Sequence, residues 1–338
     1  METVNIANEK EWEEFITFHP ESNFLQSYAH GKTHENIGKK VIYLGYKNKS
    51  KLLGVCLLII EHAKRGKHAI IPGGPILDWT NKELIQTWVK SIKSITKQEK
   101  CIFVRVRPQL PDNSTNQALF RKLGFVKAPM HLSAQTTLQL DLNKPPKQLL
   151  ADMRKTTRYE IRKAERLGIE IKKSKNLKDV ELFCKLQKQT AKRHNFIPFP
   201  DNLISSEYAN FVQKNQATLY TAKLKNKILA QAIIIHYPTE SSYHFGASTD
   251  LGRKYPGAHL IQWTAILDAK KRGILRYNFW GIVEKDQTKH RFYGVSVFKR
   301  GFGGNQVNYL PARDLVIDSL RYKPLFILES IRRVHRNL

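Results

Sequence analysis

Three short stretches recur in the same order at almost the same spacing, and a chain that repeats at long period folds as copies of one unit. Residues 41–46 and 53–60 are apolar runs around the turn Lys47-Asn48-Lys49-Ser50, which predicts a hairpin. Residues 219–224 and 230–235 repeat it around Lys225-Asn226-Lys227, 178 residues later. Leu84-Ile85-Gln86-Thr87-Trp88 is echoed by Leu260-Ile261-Gln262-Trp263 at a distance of 176. Phe120-Arg121-Lys122-Leu123-Gly124-Phe125 is echoed by Phe298-Lys299-Arg300-Gly301-Phe302, with the glycines 177 apart. Each unit therefore runs hairpin, helix, strand, then a basic Gly-Phe element; the strand after the helix is 101–106 in the first and 276–280 in the second. Two such copies predict an α/β protein (α+β in its mixed sheets) with one sheet per domain. The 338 residues suit two cores. Residues 136–142 alternate as a strand, and Asn143-Lys144-Pro145-Pro146 breaks the pattern. The expected domains are 1–143, joined by the tail 311–338, and 144–310.

Composition narrows the class. The formal net charge of +28 exceeds what solubility needs and points to a polyanion: nucleic acid, anionic lipid or a polyphosphorylated substrate. No apolar run reaches the ~20 residues that span a bilayer. Met1-Glu2-Thr3-Val4-Asn5 has no basic-then-apolar signal pattern. Cys56, Cys101 and Cys184 lie far apart in apolar contexts, which reads as buried thiols in a reduced compartment. A soluble, cytoplasmic protein is the expectation.

Residues 146–168 read as one helix between a proline and a glycine. Leu150, Met153, Thr157, Ile161 and Ala164 form its apolar stripe. Arg154, Arg158 and Arg162 recur on another face beside Lys155, Lys163 and Arg166. A solvated charged face is the ordinary account of such a pattern; the excess of arginine favours phosphate or carboxylate, phosphate ahead of the two, because guanidinium is the bidentate donor. No aromatic stacking platform is read among these cations.

The stretch from Arg154 to Ala164, followed by Gly168-Ile169-Glu170-Ile171, resembles the signature of the Fem-type (FemABX) peptidoglycan-bridge aminoacyltransferases. Phe24-Leu25-Gln26-Ser27 with Gly31-Lys32, Gly73-Gly74-Pro75 with Asp78, Ala191-Lys192-Arg193-His194-Asn195, residues 243–248 and Val297-Phe298-Lys299 are similar to further motifs of that family, in order along nearly the whole chain. The hairpin–helix–strand order resembles the GCN5-related N-acyltransferase (GNAT) fold, here in tandem. Only residues 200–216 follow the Arg-His element, so the chain is similar to the compact members without a helical arm.

The resemblance implies transfer of glycine, alanine or serine from aminoacyl-tRNA, as co-substrate, to the stem peptide of a lipid-linked or nucleotide-linked peptidoglycan precursor, with no metal and no cofactor. An amine attacks an activated ester, so the enzyme must supply orientation and a cation for the oxyanion. Lys299, next to Phe298, matches the family lysine in that role. Lys32 and Arg193 match residues that hold the precursor, and Tyr243 and Phe245 line its site. Arg154, Lys155, Arg158 and Arg162 are the first candidates for tRNA, with Lys270, Lys271, Arg272, Lys289 and Arg291 behind them. The chain departs from the family at Phe245, where a tyrosine is expected, at Arg107-Pro108, where an acidic residue often precedes the proline, and at Phe196 and Ile197. No side-chain carboxylate base is therefore expected from that strand.

Two other classes compete with this reading. An acyl-CoA N-acyltransferase needs a Gln/Arg-x-x-Gly-x-Gly/Ala loop at a helix start; Arg253-Lys254-Tyr255-Pro256-Gly257-Ala258-His259 fails it in either register. A non-catalytic RNA-binding protein would leave Lys299 incidental, and no RNA-binding module is seen. In the tail, Ile327, Ile331, Val334 and Leu338 share one helical face, with Arg332, Arg333 and Arg336 elsewhere. That suits peripheral contact with an anionic membrane; packing on the first domain is the preferred expectation.

Overall fold

The computed structural model describes residues 1–63, 66–194 and 196–335, and the chain divides into two compact units: residues 1–135 with the chain from 308 onward, and residues 136–307. In the first, Lys40–Asn48 and Lys51–Ala63 form the antiparallel hairpin, and Gly66–Pro72 pairs antiparallel with its second strand. The helix Lys82–Gln98 follows. Asn81 caps it by accepting from the Leu84 amide at 3.1 Å, and Leu84, Ile85, Trp88, Val89 and Ile92 bury one stripe. It returns the chain to Phe103–Arg107, which lies parallel to Gly66–Pro72. Leu44, Leu58, Trp88, Val104 and Phe120 meet in the core beneath. Cys56, Cys101 and Cys184 are free and buried.

The second unit repeats the order. Ala217–Leu224 and Lys227–Tyr237 are the hairpin, Glu240–Ser248 its antiparallel neighbour, Gly257–Lys271 the helix, and Arg276–Gly281 the parallel return strand. Lys225 and Asn226 turn the hairpin with φ of +47° and +64°, the left-handed pair that matches strand twist. The repeat read in the sequence is thus a repeat of structure, but each copy contains a third strand before its helix. That strand creates the parallel pair.

Three expectations change. The strand Thr136–Asp141 pairs with Arg276–Gly281, so the boundary falls before residue 136, not after 143, and the tail rejoins the first unit from residue 308. The expected single helix over 146–168 is two, Pro146–Ala151 and Lys155–Arg166. The Arg154 amide leaves the helical ladder and donates to the carbonyl of Gly301 at 2.9 Å. The apolar stripe Met153, Thr157, Ile161 and Ala164 is buried as expected. In the tail, the helix Ser319–His335 turns Tyr322, Leu325 and Glu329 inward, whereas Ile327 and Ile331 face out. The side chain of Val334, with Arg336 and Leu338, lies outside the described residues. Among those described, no helix is long and apolar enough to cross a membrane.

Candidate active site

In the second unit, the parallel pair lasts only three residues, Glu240–Ser242 against Arg276–Asn278. Buried Glu240 fastens that end: its Oε1 accepts from Asn278 Nδ2 at 3.0 Å and from Ser242 Oγ at 3.1 Å. Beyond it the strands no longer pair. One side of the opening is Tyr243; the other is Trp280-Gly281, with Trp280 held at φ +64°, a conformation a bulky side chain rarely adopts. The helix Tyr293–Arg300 delivers Lys299 into this gap. Its ammonium donates to the Gly281 carbonyl at 2.7 Å and lies 5.6 Å from the centre of the Tyr243 ring. Lys299 is 7% exposed, and no carboxylate pairs with it among the described residues. Burial pulls its pKa down to about 7 and pushes the Tyr243 phenol up to about 12. One of three ammonium protons is committed to Gly281; the others can meet a developing negative charge.

A β-bulge decides what else faces the gap. Ile234 pairs with Tyr243 and Ile233 with Phe245, leaving His244 as the extra residue. Tyr243 therefore packs with the core cluster that includes Ile234, Phe279 and Phe298. Phe245, 4% exposed, turns to the other face, where its ring meets Phe183 and Phe199 at 6.4 and 5.1 Å. His244 Nε2 lies 3.2 Å from the buried carboxylate of Glu207, and its ring meets Trp280 edge-on at 5.3 Å. Neither the bulge nor Glu207 has a signal in the sequence. Phe298 packs against His259, ring centres 4.9 Å apart. His259 occupies the third position of the helix Gly257–Lys271, and burial lowers its pKa to about 4, so a neutral imidazole fills that helix start.

The other expected residues are placed as follows. Arg193 ends the helix Lys178–His194 and binds Asp250 at 2.8 Å and the Ser248 carbonyl at 2.6 Å, tying that helix to the far end of the Tyr243 strand. Its neighbour Asn195 lies outside the described residues. Lys32, in the first unit, sits on the helix Tyr28–Asn36 with its ammonium 2.7 Å from Glu35. Arg107 is buried there, donating to Gln109 at 2.5 Å with its guanidinium 5.0 Å from the centre of the Tyr309 ring. In the same unit Asn23 and Gln26 donate to the carbonyls of Gly73 and Pro72, each at 2.8 Å. Those motif residues hold the Gly-Pro turn.

Along the basic helix the arginines divide. Arg154 donates to the Val297 carbonyl at 3.2 Å, 143 residues on in the chain, and Arg158 to those of nearby Ala151 and Met153, so both serve backbone carbonyls. Lys155, Arg158, Tyr159, Arg162 and Arg166 line an open cleft of about 490 Å³. Tyr159, 53% exposed, lies 6.0 Å from the Lys163 ammonium and 5.9 Å from the Arg166 guanidinium. No stacking platform is expected from the sequence among these cations, yet an exposed ring, Tyr159, lies beside two of them. Among the described residues no group of His, Cys, Asp or Glu is arranged to hold a metal ion.

This architecture, with a lysine at the splay of a GNAT-like parallel pair, has counterparts among known proteins. The FemAB family matches residues 7–122, 123–199 and 200–330. The chain belongs to the FemAB family. The lipid II:glycine glycyltransferase of Staphylococcus aureus is 21% identical over 410 aligned positions, covering 98% of this chain and 96% of the relative. That alignment is longer than the 338 residues here, so the relative carries insertions that this FemAB chain lacks. The crystal structure of FemX superposes with a TM-score of 0.84 at 20% identity, covering 97% of this chain and 99% of that one. A tandem GNAT protein from clavulanic acid biosynthesis gives a TM-score of 0.57 at 8% identity, covering 94% and 98%. These likenesses establish the tandem GNAT-like fold.

Proposed function

We propose that this FemAB-family protein transfers an amino acid of the glycine, alanine or serine class from aminoacyl-tRNA to an amine on the stem peptide of a peptidoglycan precursor. The observation that carries the reading is the Lys299 ammonium, buried between Gly281 and Tyr243 with no counter-ion among the described residues. The acceptor nitrogen attacks the ester carbonyl, its oxygen becomes an oxyanion, and the bond to the tRNA ribose breaks. The proton lost by the amine ends on the departing ribose oxygen. A fixed cation 2.7 Å from a backbone carbonyl is already desolvated, so its attraction for the oxyanion needs no reorganisation. The name of the Staphylococcus relative supports a lipid-linked acceptor. Lys155, Tyr159, Arg162 and Arg166 suit a tRNA end, combining cations with one stacking ring. Arg193 is the precursor candidate in the second unit, and a phosphate would compete there with exposed Asp250.

The test is to incubate the protein with a mixture of charged tRNAs and stem-peptide precursor, lipid-linked or soluble, and weigh the peptide. One added amino acid, lost in Lys299→Met, is the expected result and names the donor. No increment on either acceptor, with product from acetyl-CoA instead, would move the chain to the small-molecule acyltransferases.

A further inference from the structure

The helix Ser319–His335 is amphipathic with its apolar stripe on the wrong side for packing. Its inner face is Tyr322, whose hydroxyl donates to Asp314 at 2.9 Å, with Leu325 and Glu329; Glu329 accepts from Arg105 at 2.8 Å. The opposite face carries Leu320, Ile327 and Ile331, exposed at 84%, 60% and 61%. At 100° per residue these three fall within a narrow row. Lys323 flanks the row on one side; Arg321 and Arg332 stand about 80–100° around the helix on the other, all exposed, with Arg332 also bordering the inner cleft of Leu325 and Glu329. The only acidic residue of the helix is Glu329, and it is turned inward. Asp318, just before the helix, approaches Arg321 at 3.6 Å. Scattered apolar surface residues need no explanation; a continuous row edged by cations does.

We infer that this helix lies in the surface of an anionic membrane, with Leu320, Ile327 and Ile331 at the acyl boundary and Lys323, Arg321 and Arg332 on lipid phosphates. Charge selects this occupant over a second copy of the chain. A two-fold contact would bring the same cations of both copies together, and among the described residues of this segment only Asp318, already beside Arg321, could offset them. The first unit thereby acquires a membrane-binding edge that orients the molecule on the bilayer.

The experiment is co-sedimentation of the full chain with phosphatidylglycerol-containing vesicles and with pure phosphatidylcholine vesicles, without substrate. The result is thus independent of whether the chain transfers amino acids. Binding to the anionic vesicles alone is expected, weakening with salt. Ile327→Asp with Ile331→Asp is expected to reduce it by about a hundredfold, tenfold or so for each buried side chain. Both positions are exposed, so an unchanged melting temperature verifies the fold. Absence of binding by the unaltered chain would overturn the inference. So would equal binding by the double variant, which would mean surface charge alone, or a concentration-dependent dimer abolished by the double variant, which would mean a second copy covers the face.

Discussion

A lysine that is 7% exposed and, among the described residues, has no carboxylate partner destabilises the fold that holds it. Its folded pKa, about 7, lies below the ordinary 10.5. Between those values the unfolded chain binds the extra proton, so stability rises with pH across that window. The cost is complete below pH 7 and disappears above 10.5. Lys299→Met is therefore expected to raise stability at pH 6 by roughly 2–5 kcal/mol, a gain that shrinks toward pH 10 in denaturant titrations. The same variant should abolish transfer. If Lys299 must be charged, kcat/KM falls on the alkaline side with an apparent pKa near 7 in the free enzyme, and Lys299→Arg removes that limb. A Lys299→Met variant that is less stable at pH 6 would mean that the ammonium holds the site together. The motif Val297-Phe298-Lys299 singled the residue out in the sequence, and the structure buries it in the gap between the two strands. Its partners were not: Gly281 acts through its backbone carbonyl, and Trp280 through an unusual φ, neither of which residue identity signals.

At the level of elements, the apolar stripe Met153, Thr157, Ile161 and Ala164 placed the buried face of the basic helix correctly, and the errors sit where a distant contact overrides a local pattern. The basic helix breaks at Arg154 with neither glycine nor proline present, because its amide finds Gly301 nearly 150 residues away in the chain. Likewise the bulge at His244 separates Tyr243 from Phe245, which strict alternation would put on one face. The break also sorts the arginines. Arg158→Ala should cost about 1–2 kcal/mol of stability, since the carbonyls of Ala151 and Met153 lose their donor. Arg162→Ala should leave stability unchanged and lower the salt slope of RNA binding by about 0.7. Tyr159→Ala should weaken binding by about 1–3 kcal/mol, as loss of one stacked base would, without altering the slope. Denaturant titration reads the two stabilities, and fluorescence anisotropy with a tRNA acceptor minihelix at several salt concentrations reads the Arg162→Ala and Tyr159→Ala binding effects. A slope that falls with Tyr159→Ala, or fails to fall with Arg162→Ala, would place the RNA elsewhere.

On the scale of the whole molecule, the two units differ in how the chain builds them. The second is one continuous segment, 136–307, containing the parallel pair, the bulge and Lys299. The first is completed from its far end: Arg313–Val316 enters its sheet between Phe103–Arg107 and Phe125–Lys127. That strand was unreadable in advance, because Arg313-Asp314-Leu315-Val316 puts charge where a core strand should be apolar. Asp314 is nevertheless fully buried, since Arg105 grips both of its oxygens at 2.8 Å. Removing residues 308–338 takes away a strand with neighbours on both sides and leaves Arg105 buried without a counter-ion, a class of change that costs about 3–5 kcal/mol by itself. The truncated chain should then lose amide protection at 103–107 and 125–127 while keeping it through 217–248, followed by hydrogen exchange and mass spectrometry. The isolated segment 136–307 should fold with the same protection pattern, because none of its strands is borrowed. Loss of protection in both regions on truncation would show that the second unit depends on the first for its stability, and that the continuous segment is a topological unit without being a folding unit.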